Sequence, residues 1–230
     1  MTLSQCNVSL VGQWIDEAKS KLENPGLVYS YHGNTRKRDP MILAENAVVV
    51  TTYAVLASDA NHHAKKSKDP DYCAPCEQVR WWRIICDESH SIRDTNTANY
   101  KALSRLTAVN KWCVTGTPMN TTPKDLRGQL SFIGVSHLDK MFSIFAESMS
   151  KLFNKSSRRR SFGNPSVGAF LFLMRNVMIR HSIDQTGRDS NTGIMVLPPK
   201  VRTHSLVNCS DDSLNLTFVF AIYNNHRRRL

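Results

Sequence analysis

Short apolar runs and helix-spaced polar stretches take turns along most of the chain. Leu27 to Tyr31 alternates and reads as a strand, and the β-branched run Val48-Val49-Val50, closed by Thr51-Thr52-Tyr53, reads as another. Ile84-Ile85-Cys86 and Trp112-Cys113-Val114 are too short for helices but suit buried strands. A helix is predicted from about Leu10 to Leu22 with Ser9 as its N-cap; Asn24-Pro25-Gly26 ends it. Ser91 to Leu106 should be mainly helical, capped by Asp94 or Thr95. Thr122-Pro123 reads as a cap and first helical residue before Leu126, Leu130 and Ile133, with Gly134 as the stop. Residues 141–181 read as amphipathic helices around a break. There Met141, Phe142, Phe145 and Met149 recur at helical spacing, and Phe170 to Ile179 is strongly apolar. Residues 59–79 break the pattern and read as a polar surface insertion, and 201–230 begin a strand and a helix.

The 230 residues are enough for one α/β domain with a real core, and 41% apolar content argues against general disorder. Thirty basic against 19 acidic residues leave a net charge of +11, which favours a polyanionic partner, nucleic acid first. No secretory signal opens the chain and no apolar run approaches the ~18 residues of a membrane span, so no membrane partner is expected. Cys86 and Cys113 lie inside the apolar runs as small hydrophobes, which suits reduced thiols in an intracellular protein.

Each of the two central runs delivers polar residues to the end of a strand, the edge where open parallel sheets bind ligands. Asp87 and Glu88 follow the first directly, with His90 two positions on; Thr115-Gly116-Thr117-Pro118 follows the second. A magnesium nucleotide needs a hard oxygen ligand, which Asp87 supplies, and Glu88 is placed to activate water against a γ-phosphate. His90, Thr115 and Thr117 can bridge the two strand ends and report the state of the phosphate. Asp-Glu-Ser-His alone also reads as an acidic helix start; the flanking strand and the second turn favour the nucleotide reading.

Other candidates carry two readings each. Cys73-Ala-Pro-Cys76 has the spacing of half a zinc site, with His62 and His63 upstream, or belongs to a flexible surface insertion. Arg36-Lys37-Arg38 is a solvated charge run or a phosphate contact. Thr51, Thr52 and Tyr53 suit DNA contact by hydroxyl and ring, or a helix cap with Tyr53 packed inward.

The phrases WWRIICDESHSIRD and KWCVTGTPMNTTPKDLRGQLSFIGV resemble motifs II and III of the superfamily-2 helicase-like ATPases, specifically the Swi/Snf-type DNA translocases. The branch most resembled carries RING fingers and works in postreplication and excision repair. That branch usually reads Asp-Glu-Ala/Gly-His and Leu-Thr-Gly-Thr-Pro-Ile-Gln-Asn; here Ser89, Asn120 and Thr121 depart from it. Residues 2–14 resemble its motif Ia, and Tyr31-His32-Gly33, Val48 to Tyr53, Met178 to His181 and Leu197 to Lys200 resemble further family segments.

The resemblance implies an α/β fold, a parallel sheet flanked by helices forming a RecA-like lobe 1 truncated at both ends. Residues 1–200 would be the lobe and 201–230 the start of a linker to a missing lobe 2. It implies ATP and Mg2+ at Asp87 and Glu88, coupling through His90, Thr115, Gly116 and Thr117, and DNA contact by Ser9, Thr51, Thr52 and Tyr53. Double-stranded DNA, chromatin or repair proteins, and the nucleus follow as partner and place expectations. No Gly-x-x-x-x-Gly-Lys-Ser/Thr string occurs in the chain, so it carries half of a nucleotide site. The polypeptide is therefore expected to be a fragment that does not hydrolyse ATP alone; a non-catalytic DNA-binding or interaction module is the alternative.

Overall fold

The computed structural model describes residues 1–66, 73–136, 138, 140, 142–143, 165–180 and 220–223. Seven strands form one sheet: β1 (Thr2–Cys6), β2 (Val28–Ser30), β3 (Val48–Thr52), β4 (Trp81–Cys86), β5 (Ala108–Thr115), β6 (Met178–Arg180) and β7 (Phe220–Tyr223), in the order β2-β3-β1-β4-β5-β7-β6. The first five in that order are parallel, with Leu3 level with both Val49 and Ile84, and Ile84 level with Lys111. β7 runs antiparallel to β5, and β6 antiparallel to β7, a two-strand margin that the sequence pattern does not reveal.

Helices cover both faces, because apolar positions on the strands are continuous rather than alternating. Val49 and Val50 are neighbours in sequence and therefore face opposite ways, and both are fully buried. Val50 and Cys6 pack with Val11, Trp14 and Ile15 of α1 (Val11–Lys21). Val49, Leu3, Ile84 and Cys86 face the larger core. It is filled from α3 (Tyr53–Lys66), α4 (Ala98–Ser104) and α5 (Arg127–Phe132), with Leu43 of the short α2 (Pro40–Ala44) and Phe170 of α6 (Pro165–Val177).

Several local expectations change. Ser9 lies in a 3-10 turn, Val8–Leu10, and α1 starts without a side-chain cap, so Ser9 is not its N-cap. The span after the acidic residues is a 3-10 turn, Ser89–Ile92, and then a helix of only seven residues capped by Thr97. Asp94 is instead engaged by the Asn96 amide at 2.9 Å, a local turn that competes with helix. Residues 59–79 are not a simple surface insertion: α3 runs to Lys66, and Ala74, Cys76 and Val79 are buried in the core. Gly134 has a φ of 93° just past α5, a conformation that disfavours residues with a Cβ, and closes the helix as expected. Met141, Phe145, Met149, the basic stretch 155–164 and Leu197 to Lys200 lie outside the described residues.

Candidate active site

The first turn is built where β4 ends. The Asp87 amide donates to the Gln5 carbonyl at 2.8 Å, carrying the β1–β4 ladder one residue past Cys86. Tyr53 donates its hydroxyl to the Asp87 carbonyl at 2.8 Å. Burial first, and nearby thiols second, push the Tyr53 phenol well above its ordinary pKa, so it remains a donor. The Asp87 carboxylate is held at both oxygens: Oδ2 accepts from Trp14 Nε1 at 2.9 Å, Oδ1 from the Glu88 amide at 3.0 Å. Glu88 then takes φ 49° and ψ 48°, and among the described residues no other non-glycine has a positive φ. A glutamate in this left-handed region costs roughly 1–2 kcal/mol, and that bend points the chain from the strand into the 3-10 turn. Glu88 Oε2 lies 3.1 Å from His90 Nδ1, both side chains being about two-fifths exposed (39% and 41%).

The second turn leaves the neighbouring strand on the same edge, since Cys86 pairs with Cys113 in parallel register. Thr115 is buried and its Oγ1 accepts from the Thr117 amide at 3.1 Å, while Thr117 itself is exposed. Beyond Pro118, Asp125 Oδ2 gathers the amides of Asn120, Thr121 and Thr122 at 3.1, 2.7 and 3.2 Å. Slight burial raises the Asp125 pKa, but these donors outweigh it and hold the carboxyl below its usual range. The two turns are thus brought together as expected. The bridge between them differs: among the described residues no hydrogen bond joins His90 to Thr115 or Thr117. Ser89 Oγ donates instead to Gln129 Oε1 at 3.0 Å, and Gln129 Nε2 donates to the Pro118 carbonyl at 2.9 Å. A polar residue among Leu126, Leu130 and Ile133, on a helix that must bury its face, was the available signal for Gln129.

The DNA candidates separate. Ser9 is exposed at the C-terminal end of β1, on the same edge as the two turns. Thr51, Thr52 and Tyr53 are buried and committed internally, which corrects the expectation that their side chains touch DNA. Thr51 Oγ1 donates to the Tyr31 carbonyl at 2.9 Å, and Thr52 Oγ1 accepts from the Val55 amide at 3.2 Å, capping α3. The cap-with-Tyr53-inward reading is the one realised.

The cysteine pair also separates. Cys73 is exposed and Cys76 is buried, with burial pushing its thiol far above the ordinary value. A flexible surface insertion would expose both cysteines; Cys76 is instead buried, with Trp81 packed beside it and donating Nε1 to its carbonyl at 2.9 Å. Among the described residues no cluster of three His, Cys, Asp or Glu is present, and the side chains of His62 and His63 lie outside them. Burial raises Cys6 to about 11 and Cys113 to about 12, so neither is a thiolate nucleophile at neutral pH.

The basic triplet hides a charge cluster that sequence reasoning missed. Arg36 is almost fully buried against Asp59, with Nη2 to Oδ1 at 2.6 Å, and its guanidinium lies 5.6 Å from the Tyr31 ring centroid. Tyr31 donates its hydroxyl to Asp59 Oδ2 at 2.6 Å, and Arg38 Nε lies 3.5 Å from Oδ1.

A parallel sheet flanked by helices, with an acidic turn and a Thr-Gly-Thr-Pro turn on adjacent strand ends, is the fold of one helicase-like lobe. Residues 2–217 match the SNF2-related domain, and the chain belongs to that family. It is 29% identical over 195 residues to the DNA repair protein RAD5A of Arabidopsis thaliana, covering 84% of this chain and 18% of the relative. It is 36% identical over 134 residues to the helicase-like transcription factor of Oryctolagus cuniculus, covering 57% and 12%. The chain therefore spans less than a fifth of the length of these two relatives. The SWI2/SNF2 ATPase core of Sulfolobus solfataricus, solved in complex with double-stranded DNA, shares the fold. Its TM-score is 0.54 at 23% identity, over 76% of this chain and 32% of that one.

Proposed function

We propose that this chain forms part of the first lobe of an ATP-dependent translocase on double-stranded DNA, a nuclear motor of DNA repair or chromatin remodelling. The observation that carries the reading is the placement of Asp87 and Glu88 at the end of β4 beside the Thr115–Pro118 turn of β5. Support also comes from the family membership, from similarity to a DNA repair protein and a helicase-like transcription factor, and from the net charge of +11. A magnesium ion accompanying ATP fits the Asp87 carboxylate. Each oxygen accepts one protein hydrogen bond, which fixes its direction and leaves a lone pair for a hydrated ion. Such an ion would neutralise developing charge on the phosphates. Glu88 accepts the proton of the attacking water, with His90 beside its carboxylate. Thr115, Gly116 and Thr117 register the nucleotide state, and Ser9 meets a DNA phosphate. The lobe takes in β7, Phe220–Tyr223, which pairs with β5 in the same sheet, so it reaches past the boundary at residue 200 expected from the sequence.

A second reading, a DNA-binding module without turnover of its own, is favoured by one observation. These 230 residues contain no Gly-Lys-Ser/Thr phosphate loop. Backbone amides and a lysine normally neutralise the β- and γ-phosphates, and Asp87 cannot replace a cation. The purified chain is therefore expected to bind duplex DNA without sequence preference, more weakly as salt rises, and to show no ATP turnover. A polypeptide that also supplies the phosphate loop and a second lobe should show DNA-stimulated turnover that Glu88→Gln abolishes. Turnover that survives Glu88→Gln, or failure to bind DNA at low salt, would defeat the reading.

A further inference from the structure

Two turns carry the candidate chemistry, and among the described residues no hydrogen bond joins the residues expected to link them. Gln129 fills that gap. It is fully buried in the first turn of α5, and Ser89 is fully buried too. Every hydrogen-bonding atom of its amide is used: Oε1 accepts from Ser89 Oγ at 3.0 Å, and Nε2 donates to the carbonyls of Pro118 at 2.9 Å and Asp125 at 3.3 Å. The amide cannot be turned over, because its oxygen would then face two carbonyl oxygens. Ser89 is therefore compelled to be the donor at the other side.

The surrounding backbone keeps this contact short. Gly128 donates its amide to the Arg93 carbonyl at 3.1 Å, and a Cβ there would lie 1.8 Å from the Ile92 carbonyl oxygen. The start of α5 thus rests directly on the 3-10 turn that follows Glu88. Asp125, whose carbonyl Gln129 also holds, ties down Asn120, Thr121 and Thr122 through its carboxylate.

We propose that Gln129 is a positioning residue: with Ser89 it clasps the Asp87–Glu88 turn to the Thr115–Pro118 turn, so that displacement of either moves the other. This rests on reading the edge as the nucleotide site, and it names the residues through which that site communicates. A fully satisfied buried amide with one allowed orientation suits the role, since it transmits position without slack. Thr117, which is exposed, and the part-exposed His90 are then the outer members of the two turns, and the clasp runs beneath them.

The test is amide hydrogen exchange on the 230-residue chain, with no nucleotide present. Thr117 and Asn120 report the second turn, and Val49 and Ile84 report global opening of the sheet. Ser89→Ala, a change in the first turn, is expected to speed exchange at Thr117 and Asn120 by roughly fivefold or more beyond its effect on Val49 and Ile84. In a Gln129→Leu background Ser89→Ala should add nothing at those two amides, and Ser89→Thr, which keeps the hydroxyl, should retain their protection. The clasp is refuted if Ser89→Ala moves all four amides equally, or if its local effect persists at full size with Leu at 129. Should Gln129→Leu fail to fold, the contrast between Ser89→Ala and Ser89→Thr decides alone. Because no ATP is used, a negative result counts against the clasp, whereas failure of the nucleotide reading appears in the turnover assay.

Discussion

Trp14 Nε1 donates to Asp87 Oδ2 at 2.9 Å, although 73 residues separate the two. The bond ties α1, on one face of the sheet, to the acidic turn at its edge. It fixes the carboxylate that the proposed function assigns to magnesium, and it does so from the helix that follows the Ser9 turn. A hydrogen bond to a charged group contributes more than a neutral one, typically about 1.5–3 kcal/mol. Trp14→Phe is expected to lower unfolding free energy by about that amount in urea titrations. In an Asp87→Ala background the same substitution should cost clearly less. An undiminished cost there would mean Trp14 acts through packing alone.

Glu88 holds a left-handed backbone where the chain passes from β4 into the 3-10 turn, a pattern in which local strain is kept for a site. Glu88→Gly removes the Cβ conflict and is expected to leave the chain as stable as the parent or up to about 1 kcal/mol more stable, despite glycine's greater unfolded-state entropy. Glu88→Ala keeps the conflict and should gain nothing. Thermal denaturation of both variants checks this. A clear destabilisation by glycine relative to alanine would show that the turn is not strained.

Asp59 is the anion of the buried cluster with Arg36, Tyr31 and Arg38. Burial alone would raise its pKa. Hydrogen bonds from Arg36 and Tyr31 and the two guanidinium charges outweigh that and lower it. The folded-state value therefore lies below the unfolded one, near 3.9. The stability it provides is present above that unfolded value and is lost as pH falls through the folded one. Asp59→Ala leaves Arg36 buried and unpaired and should cost about 3–5 kcal/mol at neutral pH. Urea titrations from pH 7 to 3 should show the parent's extra acid sensitivity below about pH 4 vanish in the variant.

Gln5 points in the opposite energetic direction. It is fully buried on the central strand β1, and among the described residues its Nε2 has no hydrogen-bond partner. Among the described residues its oxygen meets only the Cys86 thiol, at 3.7 Å, a weak donor. A buried amide donor left without a partner costs about 1–3 kcal/mol. Gln5→Leu, of similar volume, should stabilise the chain by roughly 1–2 kcal/mol, read as a higher denaturation midpoint with an unchanged slope. A lower midpoint would show that the amide is satisfied in solution.

What the sequence determined by itself was local. The runs at Ile84 to Cys86 and Trp112 to Val114 identify buried parallel strands because such strands need apolar residues on both faces. The acids and the Thr-Gly-Thr-Pro turn at their ends therefore mark one edge of the sheet, where the structure has them. Stop signals such as Gly134 were legible for the same reason, since they depend on one residue's backbone freedom.

Tertiary structure alone decided which polar groups meet. Arg36 and Asp59 are 23 residues apart, and a triplet of basic residues carries no sign that its first member is buried. Thr51 and Thr52 offer hydroxyls suited to a phosphate, yet the fold spends them on the Tyr31 carbonyl and the start of α3. Cys76 belongs to a polar stretch, but Trp81 draws it inside. The link between the two turns passes from His90 to Ser89 and Gln129 because α5 lies beneath the edge, at a distance that Gly128 permits. Hydrophobic periodicity specifies which face of an element is buried. It is silent on which hydrogen-bonding atoms from distant elements are carried inside together, and that pairing exists only once the sheet and its helices have packed.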